Sequence, residues 1–211
     1  MPGAQSGGCM EVDKDSLRAD NGHLVEFIRS PNQSAGLDPR FLIFHYTAGL
    51  TAQGAIEWFK NPAAKASAHF VIGRNGAITQ MVGLDRRAWH AGESRWGNLN
   101  GMNKFSIGIE LVNAGRLKRT ENGDWLNWAS VKIPPAEVLL ATHKGESAPA
   151  GWHVYPEAQL LAALKVAVAL HTAFDFEDIL GHDDAAPGRK VDPGPAFPMT
   201  SFVSRILGRK K

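Results

Sequence analysis

Phe41-Leu42-Ile43-Phe44, running straight into His45-Tyr46-Thr47-Ala48-Gly49, is the stretch that decides the fold of this 211-residue chain. Four consecutive apolar residues leave no polar face. The run therefore predicts a strand buried on both sides, the place of a central strand in a sheet covered by helices. The polar residues that follow mark its end and the start of a loop. Just beyond, Thr51 can cap a helix in which Ala52, Ala55, Ile56 and Phe59 share one face, and Asn61-Pro62 stops it. Residues 68–73 and 77–82 flank Arg74-Asn75-Gly76, and Asn-Gly between apolar runs predicts a hairpin. Phe105, Ile107, Ile109 and Leu111 alternate with Ser106, Gly108 and Glu110, a strand with one apolar face.

Farther out, Pro156 suits the first turn of a helix whose Leu160, Leu164, Ala167, His171 and Phe174 share a face. A short strand at Ile179-Leu180 leads into residues 181–197, rich in His, Asp, Gly and Pro, and a last short helix covers 199–208. No repeat or low-complexity linker divides the chain. The expected fold is α/β (α+β): a single domain over residues 24–211, with a central mixed β-sheet flanked by helices. Residues 1–23 read as a polar, loosely held leader. Residues 114–155 read as an irregular insertion, with Pro134-Pro135, one possible helix near 135–143, and Trp125, Trp128 and Trp152.

Composition narrows the function. Lys+Arg 23 against Asp+Glu 21 leaves a net charge of +2, too balanced for a nucleic-acid binder held by phosphate contacts. A hydrophobic share of 44% suits a packed protein, and the chain is long enough to bury a core without covalent staples. Cys9 is the one cysteine, so an intrachain disulfide and Cys-cluster metal sites are both excluded. The first twenty residues lack the apolar run of a secretory signal. The apolar tract 160–170 is broken by Lys165 and too short for a bilayer. The expectation is a monomer without membrane insertion, synthesised in the cytoplasm without a signal peptide.

The chemistry lies in the eight histidines. His23, His143 and His153 sit in polar surroundings and read as surface residues, and His171 as a partly buried structural one. His45 and His182 share a context: each ends an apolar strand and opens a polar loop, where side chains from distant sequence converge. A metal with three protein ligands and an open position needs a third donor. Asp192 is the natural candidate, because Pro193-Gly194-Pro195 restricts the backbone behind it. Asp183 and Asp184 compete, although beside His182 they read better as capping groups. A histidine at a strand end can also be simply hydrogen-bonded in place.

Five blocks occur in order: His45-Tyr46-Thr47-Ala48, Ser67-Ala68-His69-Phe70-Val71-Ile72, Ala88-Trp89-His90-Ala91-Gly92, Ser106-Ile107-Gly108-Ile109-Glu110-Leu111, and the run from Gly181-His182-Asp183-Asp184 through Val191-Asp192-Pro193-Gly194-Pro195-Ala196-Phe197. Together they resemble the zinc-dependent N-acetylmuramoyl-L-alanine amidases of the AmpD type, relatives of phage-T7-type lysozymes and peptidoglycan recognition proteins. The resemblance covers roughly residues 38–112 and 156–207. It implies one zinc ion per chain bound by His45, His182 and Asp192. It implies cleavage of the amide between the lactyl group of N-acetylmuramic acid and L-alanine, in peptidoglycan or muropeptides. Zinc held by three protein ligands lowers the pKa of its water to about 7. Glu110 matches the family's carboxylate near that water, as general base and then proton donor to the leaving amine. Lys190, two residues before Asp192, would stabilise the oxyanion. His90, His69 and Arg74 are candidate substrate-binding residues. For His69 the reading leans to a structural role, and for His90 groove lining and loop fixing are both open.

The 114–155 insertion departs from the compact family members. Its tryptophans either wall an extended groove, stacking on sugar rings, or cover a satellite core, and the second reading is taken for at least two of them. The competing function is a noncatalytic muropeptide-binding module on the same fold. The site of action is either the cytoplasm, on recycled muropeptides, or the periplasmic wall after signal-independent delivery.

Overall fold

A computed structural model describes residues 9–208, and in it the Phe41–Tyr46 strand lies inside a six-stranded sheet. The order across that sheet is Asp178–Gly181, Phe41–Tyr46, Ser106–Leu111, Phe70–Ile72, Ile78–Gln80, Glu26–Phe27. Every neighbouring pair is parallel except Phe70–Ile72 with Ile78–Gln80, the predicted Asn-Gly hairpin, so the sheet is mixed. Gly76 supplies the positive φ (83°) that its turn demands.

The apolar run is buried on both faces, as its pattern requires: Phe41, Leu42, Ile43 and Phe44 are all at most 4% exposed. Leu42, Phe44, Ile107, Ile109 and Leu111 face the main core, beneath α2 (Glu157–Phe174) and α4 (Met199–Leu207). Truncating Phe44 here would cost roughly 3–5 kcal/mol. By length and composition α2 would pass for a membrane span, but its stripe of Ala163, Val166, Ala167 and Leu170 packs in this core. Phe41 and Ile43 face the other way, against Ala91, Met102, Leu180 and Ala185. Farther along that side α1 (Ala52–Lys60), capped by Thr51 accepting from the Gly54 N–H, buries Ile56 and Phe59 against the hairpin. α3 (His182–Ala185) begins where the edge strand Asp178–Gly181 ends, and the Asp184 carboxylate closes its first turn on the Gly181 N–H at 2.8 Å.

The leader differs from expectation wherever it is described; residues 1–8 lie outside the described residues. Glu11–Asp13 and Ser16–Arg18 form a hairpin, and Leu17 is fully buried in the main core, its N–H donating to Gln80 Oε1 at 3.0 Å. One well-placed leucine is enough to dock a segment that is otherwise polar.

The 114–155 segment is not irregular. It folds as a five-stranded antiparallel sheet in the order Lys132–Ile133, Trp125–Leu126, Arg116–Arg119, Pro149–His153, Val138–Thr142. The helix expected near 135–143 is a single 3₁₀ turn, Pro135–Glu137, followed by a strand. A short apolar run does not distinguish helix from strand, and pairing of Val138–Thr142 with Pro149–His153 decides it. Ala114, Leu117 and Ile133 make a satellite core with Trp125 packed on it, and Trp152 is 1% exposed. The satellite-core reading therefore holds for Trp125, while Trp152 is buried against His143 outside that cluster. His143 and His153 are not surface residues but 5% and 2% exposed, because each is hydrogen-bonded inside this junction. His153 Nδ1 accepts from the Ala114 N–H, and its Nε2 donates to Glu137.

Candidate active site

Parallel pairing sets His45 beside Glu110 and Phe44 beside Gly181, so His45, Glu110 and His182 reach the same end of the sheet. The loop carrying Asp192 is folded back onto this edge. The Asp183 N–H donates to the Asp192 carbonyl at 2.9 Å, and the Tyr155 hydroxyl donates to the Pro193 carbonyl at 2.8 Å. The result is a triangle of three buried atoms. His45 Nδ1 lies 3.0 Å from His182 Nδ1 and 3.1 Å from Asp192 Oδ2, and His182 Nδ1 lies 3.0 Å from that oxygen.

The outer ring nitrogens decide what the triangle is. His182 Nε2 meets the Ala91 carbonyl at 3.1 Å, an acceptor only, so this nitrogen donates. His90 Nε2 meets the Ser106 carbonyl at 3.3 Å, so it too donates, leaving His90 Nδ1 to accept. Its donor is His45 Nε2, at 2.9 Å. Burial, with His182 nearby, pushes the His45 imidazole down to about 4, so the ring is neutral near pH 7 and has one proton, already spent outward. His45 thus turns a bare Nδ1 lone pair toward the carboxylate oxygen, and His182, bonded outward through Nε2, turns its Nδ1 to the same point. Two ring nitrogens and a carboxylate oxygen gathered this closely in a buried site form a donor set for a cation. In a four-coordinate centre with ligands about 2.05 Å from the ion, donors stand roughly 3.3 Å apart. The observed 3.0–3.1 Å is within a few tenths of that, so the residues fit a metal ion. His90 also explains Gly108: a Cβ there would come within 2.5 Å of the His90 ring.

Glu110 and Lys190 line the same groove as the triangle. Burial pushes the Glu110 carboxyl up to about 8, the Asp192 charge adds to this, and the Lys190 ammonium offsets part of it. Glu110 Oε2 is buried with no hydrogen-bond partner among the described residues. Such an atom costs free energy in the resting fold, which makes it a candidate for a group that acts on substrate.

Two of the three expected substrate contacts, His69 and Arg74, fall elsewhere. His69 is fully buried; its Nδ1 accepts from the Gly108 N–H and its Nε2 donates to the Arg86 carbonyl, both at 3.0 Å. Both nitrogens are spent, so the ring is structural. Arg74 is turned away from the groove and ties the hairpin to the insertion, bonding the Val154 carbonyl at 3.0 Å and Glu137 at 2.7 Å. His90 reaches the groove wall, but with both nitrogens committed it orients His45 rather than presenting a polar atom to substrate. The sequence reading passed over Trp58, which also lines the groove. Its position off the Ala52, Ala55, Ile56, Phe59 stripe was the available signal that it faces outward.

Residues 35–195 match the N-acetylmuramoyl-L-alanine amidase family, Amidase_2. The 1,6-anhydro-N-acetylmuramyl-L-alanine amidase AmpD of Escherichia coli (strain K12) is 33% identical over 147 residues, covering 70% of this chain and 61% of that protein. The chain thus spans less than two thirds of that relative's length. A crystal structure of a selenomethionine AmpD derivative superposes with a TM-score of 0.62 at 25% identity, covering 86% of this chain and 94% of the other. AmpDh3 from Pseudomonas aeruginosa, crystallised in complex with anhydromuramic pentapeptide, gives a TM-score of 0.58 at 28% identity, covering 81% and 60%.

Proposed function

The chain belongs to the N-acetylmuramoyl-L-alanine amidase family, and from that premise we propose that it is a zinc-dependent hydrolase of the amide between the lactyl group of N-acetylmuramic acid and L-alanine, in peptidoglycan or muropeptides. His45, His182 and Asp192 hold one zinc ion per chain. The observation that carries this reading is the buried triangle of two ring nitrogens and a carboxylate oxygen 3.0–3.1 Å apart, with the outer nitrogen of each ring donating away from it. Zinc bound there supplies a Lewis acid for the carbonyl and lowers the pKa of its water to about 7.

The chain's own residues do the rest. His90 and the Ala91 carbonyl hold the outer nitrogens of the two ligand rings, so that each Nδ1 faces the triangle. Glu110, with a free carboxyl oxygen and ionised once a bound cation beside it offsets the effect of burial, would take a proton from the attacking water and return it to the departing alanine nitrogen. The Lys190 ammonium, unpaired among the described residues, faces the negative charge that develops on the lactyl oxygen. All these groups come from one chain, so a monomer suffices.

The competing reading, a module that binds muropeptides without cleaving them, gives no reason to keep a buried, unpartnered carboxyl beside the triangle. Zinc content and product analysis separate the two. The expected result is one zinc per chain and release of peptide with a free L-alanine amino terminus, both lost in Asp192→Ala. Tight muropeptide binding by zinc-loaded protein, with no peptide released, would overturn the hydrolase.

A further inference from the structure

The groove that begins at the triangle is a 670 Å³ cavity, and its far wall carries two exposed indoles, Trp58 on α1 and Trp128 on the insertion sheet. They are 56% and 78% exposed, in contrast to the buried Trp152. Trp128 is nevertheless held in place. Its Nε1–H donates across the groove to the Ala48 carbonyl at 2.6 Å. The turn that presents it is organised by Asn127, whose side-chain oxygen accepts from the Ala129 and Val131 N–H groups at 3.0 and 2.8 Å. Ala48 and Ser130, on the two sides of this contact, both sit in the left-handed region, at φ 55° and 60°. Strained non-glycine backbone of this kind persists where the surroundings force it, and such positions cluster at ligand clamps. An indole fixed by its N–H with its face open to water is prepared to stack on something flat and partly apolar. The C–H face of a pyranose ring meets that description.

Trp128 also belongs to a second concavity of 970 Å³ along the insertion sheet, lined by Arg116, Lys118 and Arg119 against one acid, Glu121. Arg116 is paired with Glu146 at 3.1 Å and Arg119 lies over Trp125 at 5.5 Å, whereas the Lys118 ammonium has no ion-pair partner among the described residues. The two concavities meet at one shared side chain, and the floor beyond it is basic. A ligand that fills the first concavity and continues past Trp128 enters the second.

We propose that the groove is built for an extended peptidoglycan strand: Trp128 and Trp58 stack on a sugar ring beside the cleaved position, and the Lys118 and Arg119 shelf takes carboxylates of a neighbouring stem peptide. This rests on the amidase reading and goes beyond it, because it makes the insertion sheet a specificity element for polymer over single-sugar fragments. The zinc-loaded protein is assayed on soluble polymeric peptidoglycan strands and on N-acetylmuramyl-L-alanyl-D-glutamate. Trp128→Ala should lower the ratio of kcat/KM on polymer to kcat/KM on the fragment at least tenfold, mainly through KM, and Trp128→Phe should recover most of it. The double substitution Lys118→Glu, Arg119→Glu, at two exposed positions, should lower the same ratio and reduce its sensitivity to salt. It carries the test if Trp128→Ala fails to fold. Equal losses on both substrates, or none on either, would overturn the proposal. If wild-type protein cleaves neither substrate, the amidase reading fails by itself. Co-sedimentation of the metal-stripped protein with sacculi then decides the subsite: wild type should pellet and the Trp128 and Lys118/Arg119 variants should stay in solution. Equal pelleting would end the proposal.

Discussion

Glu110 and Gln have the same shape, so Glu110→Gln isolates the proton from the packing. The variant should bind metal as wild type does and hydrolyse about 10²–10⁴-fold more slowly, measured as kcat with metal content checked in the same sample. A full rate would remove Glu110 from the chemistry. Lys190 is half-buried in the groove with no ion-pair partner among the described residues, so Lys190→Ala should likewise retain metal and drop kcat about 10²–10³-fold. Near-normal turnover would mean that the ammonium serves only the local field. His90 differs from both, since its Nδ1 is bonded to His45, one of the three proposed ligands. Without it, His45 Nε2 loses its acceptor and the ring is free to turn its proton inward. His90→Ala should therefore weaken metal binding about 10–100-fold in a chelator competition. Unchanged affinity would show that the strand alone orients His45.

At the level of elements, the insertion sheet and α3, which begins at His182, are joined by one buried pair. His143 Nε2 donates to Asp183 Oδ2 at 2.8 Å, with both residues under a tenth exposed, and Trp152 stacks on the imidazole. Lys144 reaches the other Asp183 oxygen at 2.9 Å from solvent. His143→Ala would leave the inner carboxylate oxygen without its buried hydrogen-bond donor, a loss of about 1–3 kcal/mol. At about 2–4 °C per kcal/mol for a domain of this size, the melting temperature should fall by roughly 2–12 °C. A shift under 2 °C in thermal unfolding would show that water or Lys144 replaces the imidazole at no cost. Nothing local in the sequence announced this pair, because His143 and Asp183 are forty positions apart and each lies among polar neighbours. The elements that were legible are those whose pattern is set by one face: Phe41–Tyr46, Ser106–Leu111, the Asn-Gly hairpin and α2. The insertion was not. Its strands are two to five residues long, too short for a period to develop, and they are defined by partners rather than by composition. The same contrast holds in the site. His45, His182 and Asp192 could be picked from strand ends and a rigid loop, whereas the direction in which His69 and Arg74 point depends on carbonyls that only the folded chain brings near.

For the molecule as a whole, the histidine-rich face of the sheet sets how stability responds to pH. Burial holds His45 and His69 down at about 4, and burial together with His45 holds His90 well below its ordinary value. In the unfolded chain these rings titrate near 6.5. Below that pH the unfolded state takes up protons that the native state refuses, so their contribution is complete above about 6.5 and is lost as pH falls toward 4. Each ring acting alone adds a slope of up to about 1.4 kcal/mol per pH unit. Glu110 acts with the opposite sign. Its native carboxyl keeps a proton up to about 8 that the unfolded chain releases near 4.5, so its contribution is lost as pH rises through that interval. Metal-stripped protein should therefore be most stable close to neutrality, with an acid limb steeper than one proton can produce and a shallower alkaline limb. Thermal unfolding of the metal-free protein from pH 4.5 to 8.5 measures both limbs, and Glu110→Gln should flatten only the second. A melting temperature that stays level from pH 7 down to 4.5 would mean these imidazoles are not held neutral by burial. The outward placement of the His45 proton, and with it the bare Nδ1 facing Asp192, would then lose its physical basis.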